Sequence, residues 1–402
     1  MGGVLPGRYG FWRGALEDAV YAFLDCGILD HGFARVRCDE CRAEFLVPFS
    51  CQRRSFCPSC AAKRGAVFGM LLAEEVLEDV GHSLWTFTLP KMLRPYFLHH
   101  RDLLGRLCSA GWDVVRELMV TAVGDPHFQP GMMSVVQTAG DLLAWHPHVH
   151  ALGTRGGWDR TGRSIPVPFL DPVAAERLFR HRVISLLREE GLLSEERIEL
   201  LLSWRHSGFG AHNAVTVAAG DTAGIERIGR YLLRSPVSVE RMSFAPGVGR
   251  VIYQPKGAAG PKGPPEAFEP GDFLARLLQH VPEPRLHQVR YYRRYSNVAR
   301  AQRAATGVEL ETPTPGSLAS SSEAEPTDRE RRRLRKLWAQ LIRRVYEVDP
   351  LQCRECGAAM RVLAFVLDPT AVRKILAHLE ATAGAPSRAP PRASSPSIAA
   401  ST

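Results

Sequence analysis

Cysteine spacing constrains this chain more than any other feature. Cys38-Asp-Glu-Cys41 and Cys57-Pro-Ser-Cys60 are two Cys-x-x-Cys turns with 15 residues between them. Each such turn aims two thiolates at one point, and two turns complete a tetrahedron around a single metal ion. The spacing therefore predicts one structural zinc held by Cys38, Cys41, Cys57 and Cys60, stapling a domain over residues 1–80. A thioredoxin-like redox pair fits less well, because there are two pairs and no βαβ pattern around them. Cys26 and Cys51 read as buried thiols, a common state of free cysteine, or as part of a second, incomplete site. Cys353-Arg-Glu-Cys356 is half a site and would need ligands from elsewhere in the chain or from another subunit.

At 402 residues the chain is too long for one small core, so two or three domains are expected. Lys and Arg number 51 against 42 Asp and Glu, a net charge of +9 that favours a polyanionic partner such as DNA. Arg35, Arg37, Arg42, Arg53, Arg54, Lys63 and Arg64 surround the cysteines, as a DNA-contacting face or as solvated surface. No apolar run approaches the roughly 18 residues of a membrane span. The first residues lack the pattern of a secretory signal. Together with reduced cysteines, this predicts a cytoplasmic protein that joins the nucleoid when bound to DNA.

Residues 11–29 have the pattern of an amphipathic helix stopped at Gly27. Residues 82–89 alternate and are rich in β-branched and aromatic side chains, so they form a strand ended by Pro90. Further strands are expected at 131–138, 144–152 and 213–218, with a hairpin from Met242-Ser-Phe to Arg250-Val-Ile-Tyr-Gln. Helical periodicity marks 95–122, 171–190, 194–206 and a segment after Asp221-Thr222. Strands separated by helices, with hairpin-like pairs among them, predict an α+β domain with a mostly antiparallel sheet over 81–300. A linker follows at 301–327, then a basic helix and the last Cys-x-x-Cys within 328–382, then a disordered tail over 383–402.

Inside the third of the central strands lies His146-Pro-His-Val-His150. Residues two apart on a strand share a face, so His148 and His150 stand side by side with Val149 turned to the core. Two imidazoles on one face suit a divalent metal with open positions, or merely a hydrogen-bonded strand. After Asp221 the helix carries Tyr231 among Arg227, Arg230 and Arg234, with Arg241 beyond it. Such a tyrosine is either packing or a phenol placed among cations that could also hold a phosphate.

Taken in order, the motifs resemble those of the rolling-circle insertion-sequence transposases. These are His-hydrophobe-His tyrosine endonucleases with an N-terminal zinc-binding region. The stretches that carry the resemblance include Phe49-Ser-Cys-Gln-Arg-Arg-Ser-Phe-Cys-Pro-Ser-Cys60, Gln137-Thr-Ala-Gly-Asp through His150, Gly224-Ile-Glu-Arg through Arg241, and Pro284-Arg-Leu-His-Gln-Val-Arg-Tyr-Tyr292. Asp349-Pro-Leu-Gln-Cys-Arg-Glu-Cys-Gly357 belongs with them. The resemblance implies a ferredoxin/RRM-like nuclease domain in which His148 and His150 hold Mg²⁺ or Mn²⁺. Tyr231 would attack DNA to give a 5′-phosphotyrosine. Gln137 is the candidate third metal ligand, and Arg227, Arg230, Arg234 and Arg241 are candidate phosphate contacts. His146 is expected to act structurally. The partner implied is single-stranded DNA at element ends and target, with a homodimer left open and no small-molecule substrate.

Two departures from the family pattern stand out. Several members carry a tyrosine four residues before the nucleophile, where this chain has Arg227, so it resembles the single-tyrosine branch. The literal Tyr-x-x-x-Tyr spacing occurs instead at Tyr291 and Tyr295. Two readings compete: a non-enzymatic zinc-binding DNA-binding regulator, and a metallohydrolase built on His146, His148 and His150.

Overall fold

A computed structural model describes residues 13–256, 263–306, 353 and 355–382. They fall into two compact units. The first takes the described residues of Met1–Val67, Ser238–Glu240 and Glu309–Thr402, the second those of Phe68–Val237 and Arg241–Val308. The expected linker begins inside a helix, since residues 301–306 are helical; the rest of it, the basic helix and the tail lie outside the described residues.

The chain begins with helix α1 (Gly14–Leu24), which closes before Gly27, a glycine in the left-handed region at φ 78°. Strands β1 (Phe33–Cys38) and β2 (Glu44–Pro48) then pair antiparallel. Phe33, Ala34, Val36 and Cys38 of β1 are buried. Arg35 reaches across the ladder to Glu44 at 2.7 Å. Helix α2 (Pro58–Leu71) opens directly after Cys57, carries Cys60 in its first turn and runs into a π turn at Leu72–Val76.

In the second unit, β3 (His82–Thr88) is followed by α3 (Arg94–His99) and α4 (Leu103–Val123). Then come β4 (Gly131–Ala139), β5 (Trp145–Thr154) and a short hairpin of β6 (Gly156–Trp158) and β7 (Ser164–Pro166). Helix α5 (Pro172–Glu189) is capped by Asp171, whose carboxylate accepts from Val173 and Ala174. Ser194 caps α6 (Glu195–Ser203), and β8 (Gly210–Val217) follows. Asp221 accepts from Gly224 to cap α7 (Thr222–Leu232). The expected hairpin is β9 (Met242–Ala245) with β10 (Arg250–Tyr253), extended by β11 (Glu266–Phe268). Helix α8 (Pro270–Leu278), β12 (Val289–Arg293) and α9 (Asn297–Thr306) end the unit.

The main sheet has the order β12-β4-β5-β3-β8, and every neighbouring pair is antiparallel. Strands β3, β4, β5 and β8, with α4 and α5 between them, follow the β-α-β-β-α-β succession of a ferredoxin-like fold. In chain order these four lie 4-1-3-2 across the sheet, and β12 extends it beyond β4. The expectation of an α+β fold with a ferredoxin-like antiparallel sheet therefore holds.

Side-chain alternation divides the sheet into two faces. Trp85, Phe87, Val136, Val149 and Ala151 pack with α4 and α5 in the larger core. Leu84, Met133, Val135 and Leu152 face the other way, against Ile225, Ile228 and Leu232 of α7. Glycines set how closely α7 approaches: a Cβ on Gly229 would lie 2.4 Å from the Cα of Gly69, and one on Gly69 would lie 2.6 Å from the Glu226 carbonyl oxygen. Neither contact tolerates a methyl group, so the crossing is specific to glycine at both positions.

The chain then returns to the first unit. Strand β13 (Met360–Val366) pairs antiparallel with β1, giving a three-stranded sheet β13-β1-β2, and α10 (Pro369–Thr382) follows. The last Cys-x-x-Cys, expected within a region of its own, is built instead into the zinc-binding unit. The unit boundary lies between Val67 and Phe68, earlier than the expected residue 80.

Candidate active site and cysteine clusters

Strand β5 is flanked by β4 and β3, so the His-Pro-His-Val-His stretch lies inside the sheet. Gln137 of β4 stands opposite His148, and Thr86 of β3 stands opposite His150. Val149 is fully buried in the core on the other face. The His148 and His150 rings lie with centroids 4.9 Å apart.

Both rings are held through Nδ1, and for His148 the partner fixes the tautomer. His148 Nδ1 lies 2.7 Å from the carbonyl oxygen of His146, which can only accept, so Nδ1 carries the proton. His150 Nδ1 is bonded to Thr86 Oγ1 at 3.0 Å. Both rings are thus oriented through Nδ1 and leave Nε2 for another ligand, as metal-binding histidines do. Burial pushes His148 down to about 4, with His146, Arg234 and Lys256 adding to the shift and the His146 backbone opposing it. Burial, followed by His148, Arg234 and Lys256, holds His150 well below its usual range. Near neutral pH both are uncharged with open lone pairs, the form that binds metal. His146 supplies the carbonyl that orients His148, and its own buried Nε2 has no hydrogen-bond partner among the described residues. Two neutral imidazoles on one face are nitrogen donors of the kind that can hold a divalent cation.

Tyr231 presents its ring edge-on to His150, with centroids 5.2 Å apart, and the Arg234 guanidinium lies 4.2 Å over its face. The end of α7 is tied to the sheet by Gln137, whose Nε2 donates to the carbonyls of Tyr231 at 3.2 Å and Leu232 at 2.9 Å. The expected arginines separate. Arg234 is at the tyrosine, and its pKa is lowered first by burial. Arg241 donates to Tyr253 Oη at 2.8 Å and to the Gln254 carbonyl at 3.1 Å, and lies 3.7 Å from Asp141. Arg230 pairs with Glu226 on its own helix, and Arg227 is exposed.

The tyrosines at the literal Tyr-x-x-x-Tyr spacing are elsewhere. Tyr295 is fully buried and shares a 2.7 Å hydrogen bond with His82, and burial raises its pKa. Its ring packs on Gly131, six residues along β4 from Gln137. At about 3.3 Å per residue that is roughly 20 Å from the position opposite His148 and roughly 13 Å from Val135, the position opposite His150. Tyr291 is paired with Met133 on the same strand.

Lys256, at the head of a Gly- and Pro-rich stretch, belongs to none of the motifs read from the sequence. Its backbone N–H donates to Asp141 at 2.8 Å, and its charge acts on both histidines. Although the residue as a whole is exposed, desolvation of the ammonium, then Arg234 and Arg241, pushes it down to about 8. No local signal would have revealed it, because only the sheet topology brings the two segments together.

The cysteines in the first unit form two quartets where one was expected. Cys26, Cys51, Cys57 and Cys60 make the first, and Cys38, Cys41, Cys353 and Cys356 the second, with the sulfurs of each within 4.8 Å of one another. The predicted set of Cys38, Cys41, Cys57 and Cys60 is therefore divided between two sites. The turns adjacent in sequence do not share a metal, because β1 and β2 carry Cys38 and Cys41 to the edge where β13 begins. Cys26 and Cys51, read first as buried thiols, stand in donor positions of a quartet. Tetrahedral Zn–S bonds of about 2.3 Å place sulfurs roughly 3.8 Å apart. Cys26 lies 3.8 Å from Cys57 and 3.7 Å from Cys60, and Cys51 lies 3.6 Å from Cys60. The Cys60 thiol is drawn down to about 5, first by its hydrogen bond with Cys57.

Residues 11–89 match a family described as "Transposase zinc-binding domain", and residues 131–303 match one described as "Putative transposase". The chain belongs to the insertion-sequence transposase family. It is 25% identical over 372 residues to the transposase for insertion sequence element IS801 of Pseudomonas savastanoi pv. phaseolicola, covering 87% of this chain and 84% of that protein. It is also 25% identical over 353 residues to a "Putative transposase y4qJ" of Sinorhizobium fredii (strain NBRC 101917 / NGR234), covering 82% of this chain and 84% of the relative. No solved structure matches the chain. For this transposase, the matches support DNA as the partner and zinc as a structural component. Among the described residues, no helix is long and apolar enough to cross a membrane.

Proposed function

We propose that this transposase nicks single-stranded DNA at its element's ends and transfers the strand through a 5′-phosphotyrosine on Tyr231. The observation that carries the reading is the stack of His150, Tyr231 and Arg234 on one sheet face. The phenol gives up its proton to solvent and its oxygen forms a bond to the scissile phosphorus while the bond to the 3′ oxygen breaks; that oxygen takes a proton from solvent and leaves as a free 3′-OH. The phosphodiester energy is kept in the covalent link for later joining. His148 and His150 would hold Mg²⁺ or Mn²⁺, with Gln137 as the candidate third ligand. When bound, that cation supplies Lewis-acid stabilisation of phosphoryl charge. Arg234, with Lys256 and Arg241 behind it, holds non-bridging phosphate oxygens.

The regulator reading leaves the oriented His pair without a purpose. The hydrolase reading lacks a carboxylate, since among the described residues no Asp or Glu completes a three-donor metal group with these histidines. The deciding experiment mixes the full chain with Mn²⁺ and element-end single strands labelled 3′ of the nick. An SDS-resistant protein–DNA adduct is expected, lost in Tyr231→Phe and retained in Tyr291→Phe. Nicking without any adduct would instead establish the hydrolase.

A further inference from the structure

We infer that the chain holds a second structural zinc ion at Cys38, Cys41, Cys353 and Cys356, which clasps the start of the zinc-binding unit to a segment over 300 residues later. Cys38 Sγ lies 3.5 Å from Cys356 Sγ, and Cys41 Sγ lies 3.3 Å from Cys353 Sγ, across sequence separations of 318 and 312. These are the distances of thiols gathered around one point, with one pair of donors from each turn.

The two turns are copies of each other. Their sequences are Cys38-Asp-Glu-Cys-Arg-Ala43 and Cys353-Arg-Glu-Cys-Gly-Ala358, sharing cysteine, glutamate and alanine at matching positions. The Cys38 N–H donates to the Ala43 carbonyl at 2.9 Å, and the Cys353 N–H donates to the Ala358 carbonyl at 2.8 Å. The residue after each second cysteine is left-handed, Arg42 at φ 60° and Gly357 at φ 73°. Each turn then leads into a strand, β2 or β13, and these strands flank β1 on opposite sides. Cys38 is itself paired with Met360. Val36, Met360 and Val362 pack behind the sulfurs, with Phe45 and Val47 against them. An apolar wall of this kind limits water access and favours a retained metal.

The zinc-binding family match ends at residue 89, so it includes the first quartet whole but only half of the second. The second quartet therefore makes the zinc-binding unit incomplete without residues on the far side of the nuclease domain. Binding forms four Zn–S bonds and releases the thiol protons to solvent.

Metal analysis of the purified full chain tests this. Two zinc ions per chain are expected, falling to one in the Cys353→Ser/Cys356→Ser double variant and remaining two in Cys356→His, which restores a nitrogen donor. One zinc in the unaltered chain, or two in the double variant, overturns the inference. Should the serine variant misfold, the unaltered chain still decides: on graded chelation, Cys38, Cys41, Cys353 and Cys356 should become alkylated as one group. Cys38 and Cys41 becoming reactive together with Cys57 and Cys60 would overturn it. None of these readouts involves DNA, so the nuclease proposal can fail without affecting this one.

Discussion

The side-chain nitrogen of Gln137 donates to the backbone carbonyl of Tyr231 at 3.2 Å, so the strand beside the His pair also grips the helix that carries the phenol. The last carbonyls of a helix have no partner within it, and Gln137 satisfies two of them, those of Tyr231 and Leu232. Tyrosine position and histidine position are thus set by the same two strands.

Gln137→Glu keeps an oxygen for the cation but turns a donor into an acceptor facing two carbonyls. The rate of adduct formation is expected to fall by about 10–100-fold, the scale of a displaced nucleophile, with the Mn²⁺ midpoint no weaker. A weakened midpoint with an unchanged saturating rate would show that the grip on α7 is unimportant.

Gly229→Ala places a methyl group 2.4 Å from the Gly69 Cα. Overpacking of this kind costs about 1–3 kcal/mol, so the thermal midpoint should drop and adduct yield with it. Gly247→Ala, where an added Cβ meets nothing within 4 Å, is the control and should change neither. Equal behaviour of the two variants would contradict the close crossing.

Tyr295→Phe removes the partner of a buried imidazole and should cost about 1–3 kcal/mol of stability. Adduct formation should persist, because this ring is at the other end of β4. Chemical denaturation and the adduct assay report the two effects separately, and loss of adduct in a folded variant would reopen the choice of nucleophile.

Buried His82 and His280 are each pushed down to about 4, chiefly by burial. An unfolded histidine titrates near 6.5, so between about pH 4 and 6.5 the unfolded chain binds more protons. Stability therefore falls as pH drops through that window and levels off above it. Urea midpoints measured from pH 7.5 to 4.5 should decline toward acid, and His280→Gln should flatten part of the decline. A flat profile in the unaltered chain would argue against neutral burial of these rings.

Alternation and spacing made much of the nuclease core legible. His82–Thr88, the His strand, the hairpin of β9 and β10 and the caps at Asp171, Ser194 and Asp221 all declare themselves in local chemistry. His148, His150 and Tyr231 were named before the sheet brought them together. What local patterns could not show was partnership across the chain. Cys38 and Cys57 are near in sequence yet belong to different quartets, and nothing around Cys353 indicates that β13 closes on β1. Lys256 escaped notice for the same reason. Arg230 and Arg241, similar to Arg234 in sequence context, are engaged by Glu226 and Tyr253.

The pairing of β1 with β13 also sets a clock. Cys41 and Cys353 are 312 residues apart, and synthesis at roughly 5–20 residues per second separates their emergence by about 15–60 s. Through that interval β1 has β2 on one side and an unpaired backbone edge on the other, the kind of edge that recruits stray strands. The five-stranded sheet of the second unit can be complete while the unit preceding it on the ribosome still waits for its closing strand. A message truncated before residue 353 would thus release a chain with an intact second unit and a permanently open, adhesive edge.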